Sequence, residues 1–314
     1  MNLVDFYKEY PTEDSCKLKF KEVRLQAGIK CKKCGNTTHY WHKGREEFQC
    51  KKCSNRVGLR SGTVMHSSKL PFQYWFLAMH LLTSTKKSFS AKEMQRQLGH
   101  KRYEPIWAMM HKIRLIMGLR DENYKLTDEI ELDEAYFETV NLEYKKKENL
   151  KRGKGSQRQA TVLVMAESKE IEEHLQQKDK PKRKVRFIKM KVLNNSNSKE
   201  INDKVSKTIN PESTIITDGS TSYVNLDEVV EKHISTTLKP KESGKILPWV
   251  HIAISNAKRL FLDIHHHIDK DFLQSYLNEY CYKFNRRYFQ DTLFERLILA
   301  SVNFKWNFLG EVNG

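Results

Sequence analysis

Apolar and polar residues alternate most regularly in the middle of the chain, over residues 130–137. Ile130 and Leu132 alternate there with Glu131 and Asp133, which predicts a half-buried strand with one apolar and one acidic face. Further strand patterns lie at 161–166, 185–193 and 214–217, and a helical pattern lies at 198–210. Three strands followed by a helix and a fourth strand predict a mixed sheet with helices on its faces.

Upstream of this strand, apolar residues recur at the three- and four-residue spacing of helices. These helical patterns lie at 12–27, 72–83, 91–98 and 103–117. Ser90 and Glu93 form a capping-box pair before the third of them, and Gly99 ends it. Two short helices joined by a glycine-containing turn are typical of a DNA-binding helix-turn-helix. The basic residues of this segment that could face phosphates or bases are Lys101, Arg102, Lys112 and Arg114.

The overall charge strengthens this interpretation. The chain has 314 residues, and 56 Lys and Arg against 39 Asp and Glu give a net charge of +17. Such a protein attracts polyanions, of which nucleic acid is the commonest. No apolar run approaches the roughly 18 residues that span a bilayer, and the N-terminus lacks the apolar core of a secretory signal. We therefore expect a cytoplasmic protein whose cysteines bind metal or are buried thiols.

Four of the cysteines form two CxxC motifs. Cys31 and Cys34 make the first motif, Cys50 and Cys53 make the second, and 15 residues separate the two. Two such knuckles bring four thiolates into the tetrahedral shell that zinc prefers. Because all four ligands are cysteines, no coordination position stays open for chemistry. We expect one structural Zn²⁺ in a zinc ribbon.

A second kind of site is indicated by acidic residues on two strands. Asp218 follows the strand pattern at 214–217, and ligand sites in such sheets lie at the carboxyl ends of strands. Carboxylates from two strands suit a divalent cation that prefers oxygen ligands, so Asp133 and Asp218 are candidate ligands. On the helical pattern that follows Pro248, His251 and Lys258 share one face, whereas Asn256 lies about 140° around from His251.

Together these motifs resemble those of one protein family. They include the two knuckles, Ser61-Gly62-Thr63, Glu131-Leu132-Asp133-Glu134, Thr217-Asp218-Gly219, Lys258-Arg259 and Tyr282-Lys283-Phe284-Asn285-Arg286-Arg287. In this order and spacing, the chain resembles the bacterial insertion-sequence transposases of the ISXO-like group. These carry a zinc ribbon ahead of an RNase H-like DDE domain.

The resemblance implies an α+β, mixed fold in three parts. We expect an N-terminal helix and zinc ribbon at 1–67, a helix-turn-helix segment at 68–125 and an RNase H-like catalytic domain at 126–314. It also implies the activity, which is cutting the ends of a mobile element and joining them to target DNA. The implied cofactors are one Zn²⁺ and two catalytic Mg²⁺ or Mn²⁺ ions. The implied partners are double-stranded DNA, both terminal repeats and target, and further copies of this chain in a synaptic complex near the bacterial nucleoid.

The resemblance further implies roles for single residues. Asp133 and Asp218 correspond to the first two metal ligands, and the third is usually a Glu seven residues before a Lys. Here His251 stands in that position before Lys258, and Asn256 is the competing candidate. Lys258 would contact a phosphate. Additional basic residues that could contact DNA are Arg259, Arg286, Arg287 and those of the stretch 145–158.

The absence of a third carboxylate leaves other functions open. One alternative is a non-catalytic DNA-binding protein, in which only the zinc ribbon and helix-turn-helix act. Another is a metal-dependent nuclease without transposition, which would use the same site and differ in its product. A neutral third ligand would also weaken metal binding relative to three carboxylates.

Overall fold

In this computed structural model, side chains cap the first turns of two helices at the positions where the sequence predicts helix starts. The Thr12 hydroxyl accepts a hydrogen bond from Ser15 N–H, and the Ser90 hydroxyl accepts one from Glu93 N–H. The structure describes residues 1–140, 156, 158–176, 181–236, 246–265, 268–289 and 292–303, so most of the basic stretch 145–158 lies outside the described residues. The α-helices are α1 (Leu3–Glu9), α2 (Glu13–Gln26), α3 (Phe72–Ser84), α4 (Ala91–Gln97), α5 (Glu104–Asp121), α6 (Ser198–Thr208), α7 (Pro248–Ile264), α8 (Leu273–Asn285) and α9 (Leu293–Asn303).

Strands form two sheets in the described chain. They are β1 (His39–His42), β2 (Glu47–Cys50), β3 (Arg56–Gly58), β4 (Glu129–Glu138), β5 (Gln159–Glu170), β6 (Arg183–Leu193), β7 (Thr214–Asp218) and β8 (Lys232–Thr236). The first three make a small antiparallel sheet, and the other five make a larger sheet in the order β6-β5-β4-β7-β8. The chain divides into two compact units, one of residues 1–120 with 286–314 and one of residues 121–285.

The first unit contains the small sheet and a group of helices around an aromatic cluster. Phe294 of α9 packs at 5.7 Å from the Phe6 ring and at 5.6 Å from the Tyr10 ring. Val64 N–H also donates to the Ser301 carbonyl. Our expected third domain ran to residue 314, but α9 packs in the first unit. Its apolar face is covered by residues from the beginning of the chain.

The second unit contains a mixed five-stranded sheet. Strands β4, β5 and β6 are antiparallel neighbours, while β7 and β8 run parallel to β4. Helix α6 makes the crossover between β6 and β7, because a parallel pairing cannot be closed by a tight turn. This strand order and these directions are those of an RNase H-like domain, which confirms the predicted fold class.

Helices cover both faces of this sheet. Ile130 and Leu132 of β4 pack with Ile201 and Val205 of α6 in one core. On the opposite face, residues of α7 and α8 pack against Ala135 and other β4 and β5 side chains in a second core. The face of β4 that we expected to be acidic and exposed is therefore covered by α7. Glu131 on that face is only 4 % exposed.

Two side-chain amides of α8 form hydrogen bonds with backbone groups along the free edge of β6. Gln274 Oε1 accepts from Val192 N–H, and its Nε2 donates to the Met190 carbonyl. Asn285 pairs in the same way with both backbone groups of Ile188. An open edge can pair with another chain, and these amides take the place of a neighbouring strand.

Candidate active site and zinc cluster

Asp133 and Asp218 lie beside each other on neighbouring parallel strands. The register pairs Glu131 of β4 with Ile216 of β7, so two residues further along both strands the same register places Asp218 beside Asp133. Alternate residues share a face, and adjacent strands lie about 4.8 Å apart. Both carboxyl groups therefore project from one face near the carboxyl end of β7.

The Asp133 carboxyl is strongly perturbed. Burial raises its pKa to about 6, and the negative charges of Asp218 and Glu134 act in the same direction. The N–H of Glu134, which donates to Asp133 Oδ1 at 2.7 Å, and the nearby His251 oppose the rise. A carboxyl pair that is costly to ionise can be stabilised by a cation between its members.

Helix α7 is held against β4 by a buried carboxylate. Glu131 Oε2 accepts hydrogen bonds from Trp249 N–H at 2.7 Å and from Val250 N–H at 2.9 Å. Burial raises the pKa of Glu131 to about 7, although these two hydrogen bonds favour its ionised form. The contact places the first turn of α7, and with it His251, over the strand that carries Asp133.

His251 and Asn256 differ clearly in their surroundings. His251 is half-buried, and its Nε2 atom is buried without a hydrogen-bond partner among the described residues. Asn256 is exposed to solvent. A buried polar atom without a partner is costly, and a bound ion can satisfy it. The ligand atoms of Asp133, Asp218 and His251 do not all lie within 4.8 Å of one another. A divalent cation held by Asp133 would nevertheless satisfy the buried Nε2 of His251, so the chemistry of these side chains fits such a group.

Two further residues surround this site that the sequence interpretation missed. The alternation predicts Glu131 on the acidic face of a half-buried strand, but the residue is buried and caps α7. Tyr223, in a 3-10 turn after β7, is 3 % exposed. Burial raises the pKa of its phenol, and the charges of Asp133, Glu134 and Asp218 add to the rise. No spacing signal in the chain identifies Tyr223, because only the turn after Asp218 directs it towards the acids.

The four cysteines converge as a zinc ribbon requires. Their sulfur atoms all lie within 4.8 Å of one another, and no other such group of three or more His, Cys, Asp or Glu ligands occurs among the described residues. Cys31 Sγ lies 3.6 Å from Cys53 Sγ, and Cys34 Sγ lies 3.5 Å from Cys50 Sγ. Sulfur atoms about 2.3 Å from a tetrahedral zinc lie about 3.8 Å apart, so the cluster fits Zn²⁺.

The residues that we expected to contact DNA differ in their exposure to solvent. Lys101, Arg102 and Arg259 are exposed, and Arg287 is partly exposed. The prediction is wrong for three others. Lys112 is 9 % exposed and its ammonium donates to the His66 carbonyl, while Arg114 is fully buried and donates to the Phe89 carbonyl. Arg286 is 8 % exposed.

Lys258 lies further along α7 than His251. It is exposed, and its ammonium lies 5.7 Å from the centre of the Phe137 ring. It follows His251 by seven positions on the same helix, a rise of about 10 Å. Lys258 therefore lies too far along α7 to join the two carboxylates as a ligand.

Among the described residues, no helix combines the length and the apolar composition that a membrane span needs.

Comparisons with known protein families identify two matching domains in the chain. The ISXO2-like transposase domain matches residues 125–285, and the transposase zinc-ribbon domain matches residues 11–56. Among solved structures, the chain is similar to a pre-cleavage Mos1 transpososome, with 10 % identity over 76 % of this chain and 82 % of that one and a TM-score of 0.28. A Mos1 transposase paired-end complex with the left transposon end has 9 % identity over 77 % and 82 % of the two chains and a TM-score of 0.30. No curated protein matches the chain.

Proposed function

Because this chain belongs to the family of ISXO2-like transposases, we propose that it cuts DNA at the ends of a mobile element and joins those ends to target DNA. The observation that carries the proposal is the register of β4 with β7, which pairs Glu131 with Ile216 and so places Asp133 and Asp218 on neighbouring parallel strands, where the Asp218 charge raises the pKa of Asp133. The unpartnered Nε2 of His251 supports it, since this atom lies on the helix that covers the same face.

Three side chains would hold the catalytic metal. They are Asp133, Asp218 and His251. Mg²⁺ or Mn²⁺ bound by these residues would supply the Lewis-acid chemistry that activates the attacking hydroxyl and stabilises the leaving oxygen. We favour His251 over Asn256 as the third ligand, because His251 is half-buried whereas Asn256 is exposed to solvent.

The remaining residues would bind and orient DNA. Lys258 and Arg259 are exposed on α7, about two helical turns beyond His251, and would contact phosphates of the cut strand. Lys101 and Arg102 lie between α4 and α5, the two helices of the helix-turn-helix, and would contact double-stranded terminal repeats. Pairing two element ends requires two active sites, so we propose a homo-oligomer in the synaptic complex.

The test is a cleavage and strand-transfer assay with DNA from both ends of the element that carries the gene. Asp133→Asn and Asp218→Asn should each abolish cleavage in Mg²⁺ or Mn²⁺ while DNA binding persists. His251→Ala should lower cleavage strongly, and Asn256→Ala on the same helix is the matched control that should retain it. Cleavage by either aspartate variant at the wild-type rate refutes the proposed site.

The same assay separates this proposal from its alternatives. A non-catalytic DNA-binding protein would bind the element ends without cutting them in either metal. A nuclease would cut them but leave no product joined to target DNA. The third-ligand assignment fails on its own if Asn256→Ala, rather than His251→Ala, removes cleavage.

A further inference from the structure

The carboxylate of Glu131 joins two elements that are distant in the chain. Its Oε2 atom accepts from two successive backbone N–H groups of α7, and the hydrogen-bonded residues are 118 and 119 positions apart. Pro248 is the first residue of α7 and has no N–H to donate. Glu131 therefore accepts hydrogen bonds from the first two N–H groups of the helix. The positive end of the helix dipole also stabilises its negative charge.

The position of this contact relates it to the candidate metal ligands. Glu131 is two residues before Asp133 on β4, and Val250 immediately precedes His251 on α7. Both Glu131 and Asp133 project from the sheet face that α7 covers. The contact thus joins the strand that carries Asp133 to the helix that carries His251. On each element it lies within two residues of the candidate ligand.

A helix packed only through apolar side chains can rotate or slide with little loss of contact. A slip of one residue turns an α-helix by about 100° and moves it by about 1.5 Å, which would direct His251 away from the carboxylates. Two hydrogen bonds from successive N–H groups to one oxygen atom oppose both movements, because each depends on direction as well as distance.

The geometry points to Glu131 as a positioning residue of the active site. Its carboxylate sets the rotation of α7 on β4 so that His251 faces Asp133 and Asp218. This inference rests on the proposed function, and it assigns a task to a residue that is neither a metal ligand nor a DNA contact. Supporting groups of this kind commonly change metal affinity by about 10- to 100-fold when removed.

A second buried carboxylate in the same sheet supplies a matched control. Glu167 of β5 is 1 % exposed, and its Oε2 accepts from Thr127 N–H at 2.8 Å. Burial raises its pKa as well. It resembles Glu131 in burial and in accepting a backbone N–H group, but its hydrogen bond joins it to Thr127 and its ion pair to Arg186, and neither residue belongs to α7. Its removal tests what the loss of a buried carboxylate does to the sheet in general.

The experiment measures Mn²⁺ binding to the zinc-loaded full chain by the electron paramagnetic resonance signal of free Mn²⁺. Glu131→Met, which keeps the side-chain length but removes the acceptor, should weaken binding at the Asp133 site by about tenfold or more. Glu131→Gln keeps one acceptor oxygen and should recover most of the affinity. Glu167→Met should leave Mn²⁺ affinity within about twofold of the wild type. Thermal unfolding of each variant establishes that it is folded.

A double-variant cycle with His251→Ala separates positioning from general loss of stability. If Glu131 acts through His251, Glu131→Met should have no further effect on Mn²⁺ affinity once His251 is alanine. Additive effects, or an unchanged affinity in folded Glu131→Met and Glu131→Gln, overturn the inference while leaving the proposed function intact. If Asp133→Asn leaves Mn²⁺ binding unchanged, the proposed metal site fails, and the inference about Glu131 fails with it.

Discussion

Asp133→Asn should make the protein more stable while removing its activity. Burial raises the pKa of Asp133 from 3.8 to about 6. A tenfold change in proton affinity corresponds to about 1.4 kcal/mol, so keeping Asp133 ionised costs the folded state about 3 kcal/mol above pH 7. Asparagine has nearly the same shape and no charge, and its Oδ1 can still accept from Glu134 N–H. Functional sites commonly carry such a cost in stability.

The size of this stabilisation depends on pH. The pKa is higher in the folded state than in the unfolded state, so the favourable contribution of protonated Asp133 is complete below pH 3.8. It is lost as the pH rises through 6. The advantage of Asp133→Asn in free energy of unfolding should therefore be about half a kcal/mol at pH 4 and about 3 kcal/mol at pH 7.5 in the absence of Mg²⁺.

Urea unfolding followed by circular dichroism at both pH values measures this difference. Asp203→Asn is the matched control, because Asp203 is exposed and, among the described residues, its carboxylate pairs with Lys207 alone on the surface of α6. The effect of this substitution should stay below about 0.5 kcal/mol. Adding Mg²⁺ should stabilise the wild type and not Asp133→Asn, since a ligand stabilises only the state that binds it. An advantage that is absent at pH 7.5, or equally large at pH 4, refutes the reasoning.

Three other outcomes follow from the structure. Cys34→Ser should lower the Zn²⁺ content measured by a colorimetric chelator from one per chain towards zero and unfold the ribbon, since zinc binding and folding are coupled; full zinc content would contradict the four-cysteine site. Asn285→Ala should lower the free energy of unfolding by about 2–4 kcal/mol in urea, because it leaves buried backbone groups of β6 unpaired; a loss below about 1 kcal/mol would contradict this. His251→Glu should tighten Mg²⁺ binding in calorimetry by adding a carboxylate, whereas Asn256→Glu should not.

Local spacing was sufficient for the parts of the molecule that involve only neighbouring residues. The CxxC motifs predicted the zinc cluster because a knuckle brings its own two cysteines together. The alternation at 130–137 predicted β4, and Thr12 and Ser90 predicted helix starts. The order of strand and helix patterns predicted a mixed sheet. In each case the physical cause, a turn, a pleat or a cap, acts within a few residues of the signal.

Spacing alone was misleading wherever a second element decided the environment. Lys112 and Arg114 are basic residues on a helix of a DNA-binding segment, yet both are buried and donate to carbonyl groups. Glu131 alternates with apolar residues as an exposed strand residue would, yet α7 covers it. Helix α9 follows the second unit in the chain, yet it packs in the first unit.

The sequence by itself determined which residues could serve as ligands, namely four cysteines, two aspartates on strands and either His251 or Asn256. Only the tertiary structure decided which of them meet. The register of β4 with β7 places Asp218 beside Asp133, and the Glu131 contact places His251 over the same face while Asn256 turns to solvent. Helical and strand periodicity specify the faces of single elements. The distance between faces of separate elements depends on how the whole unit buries its apolar surface.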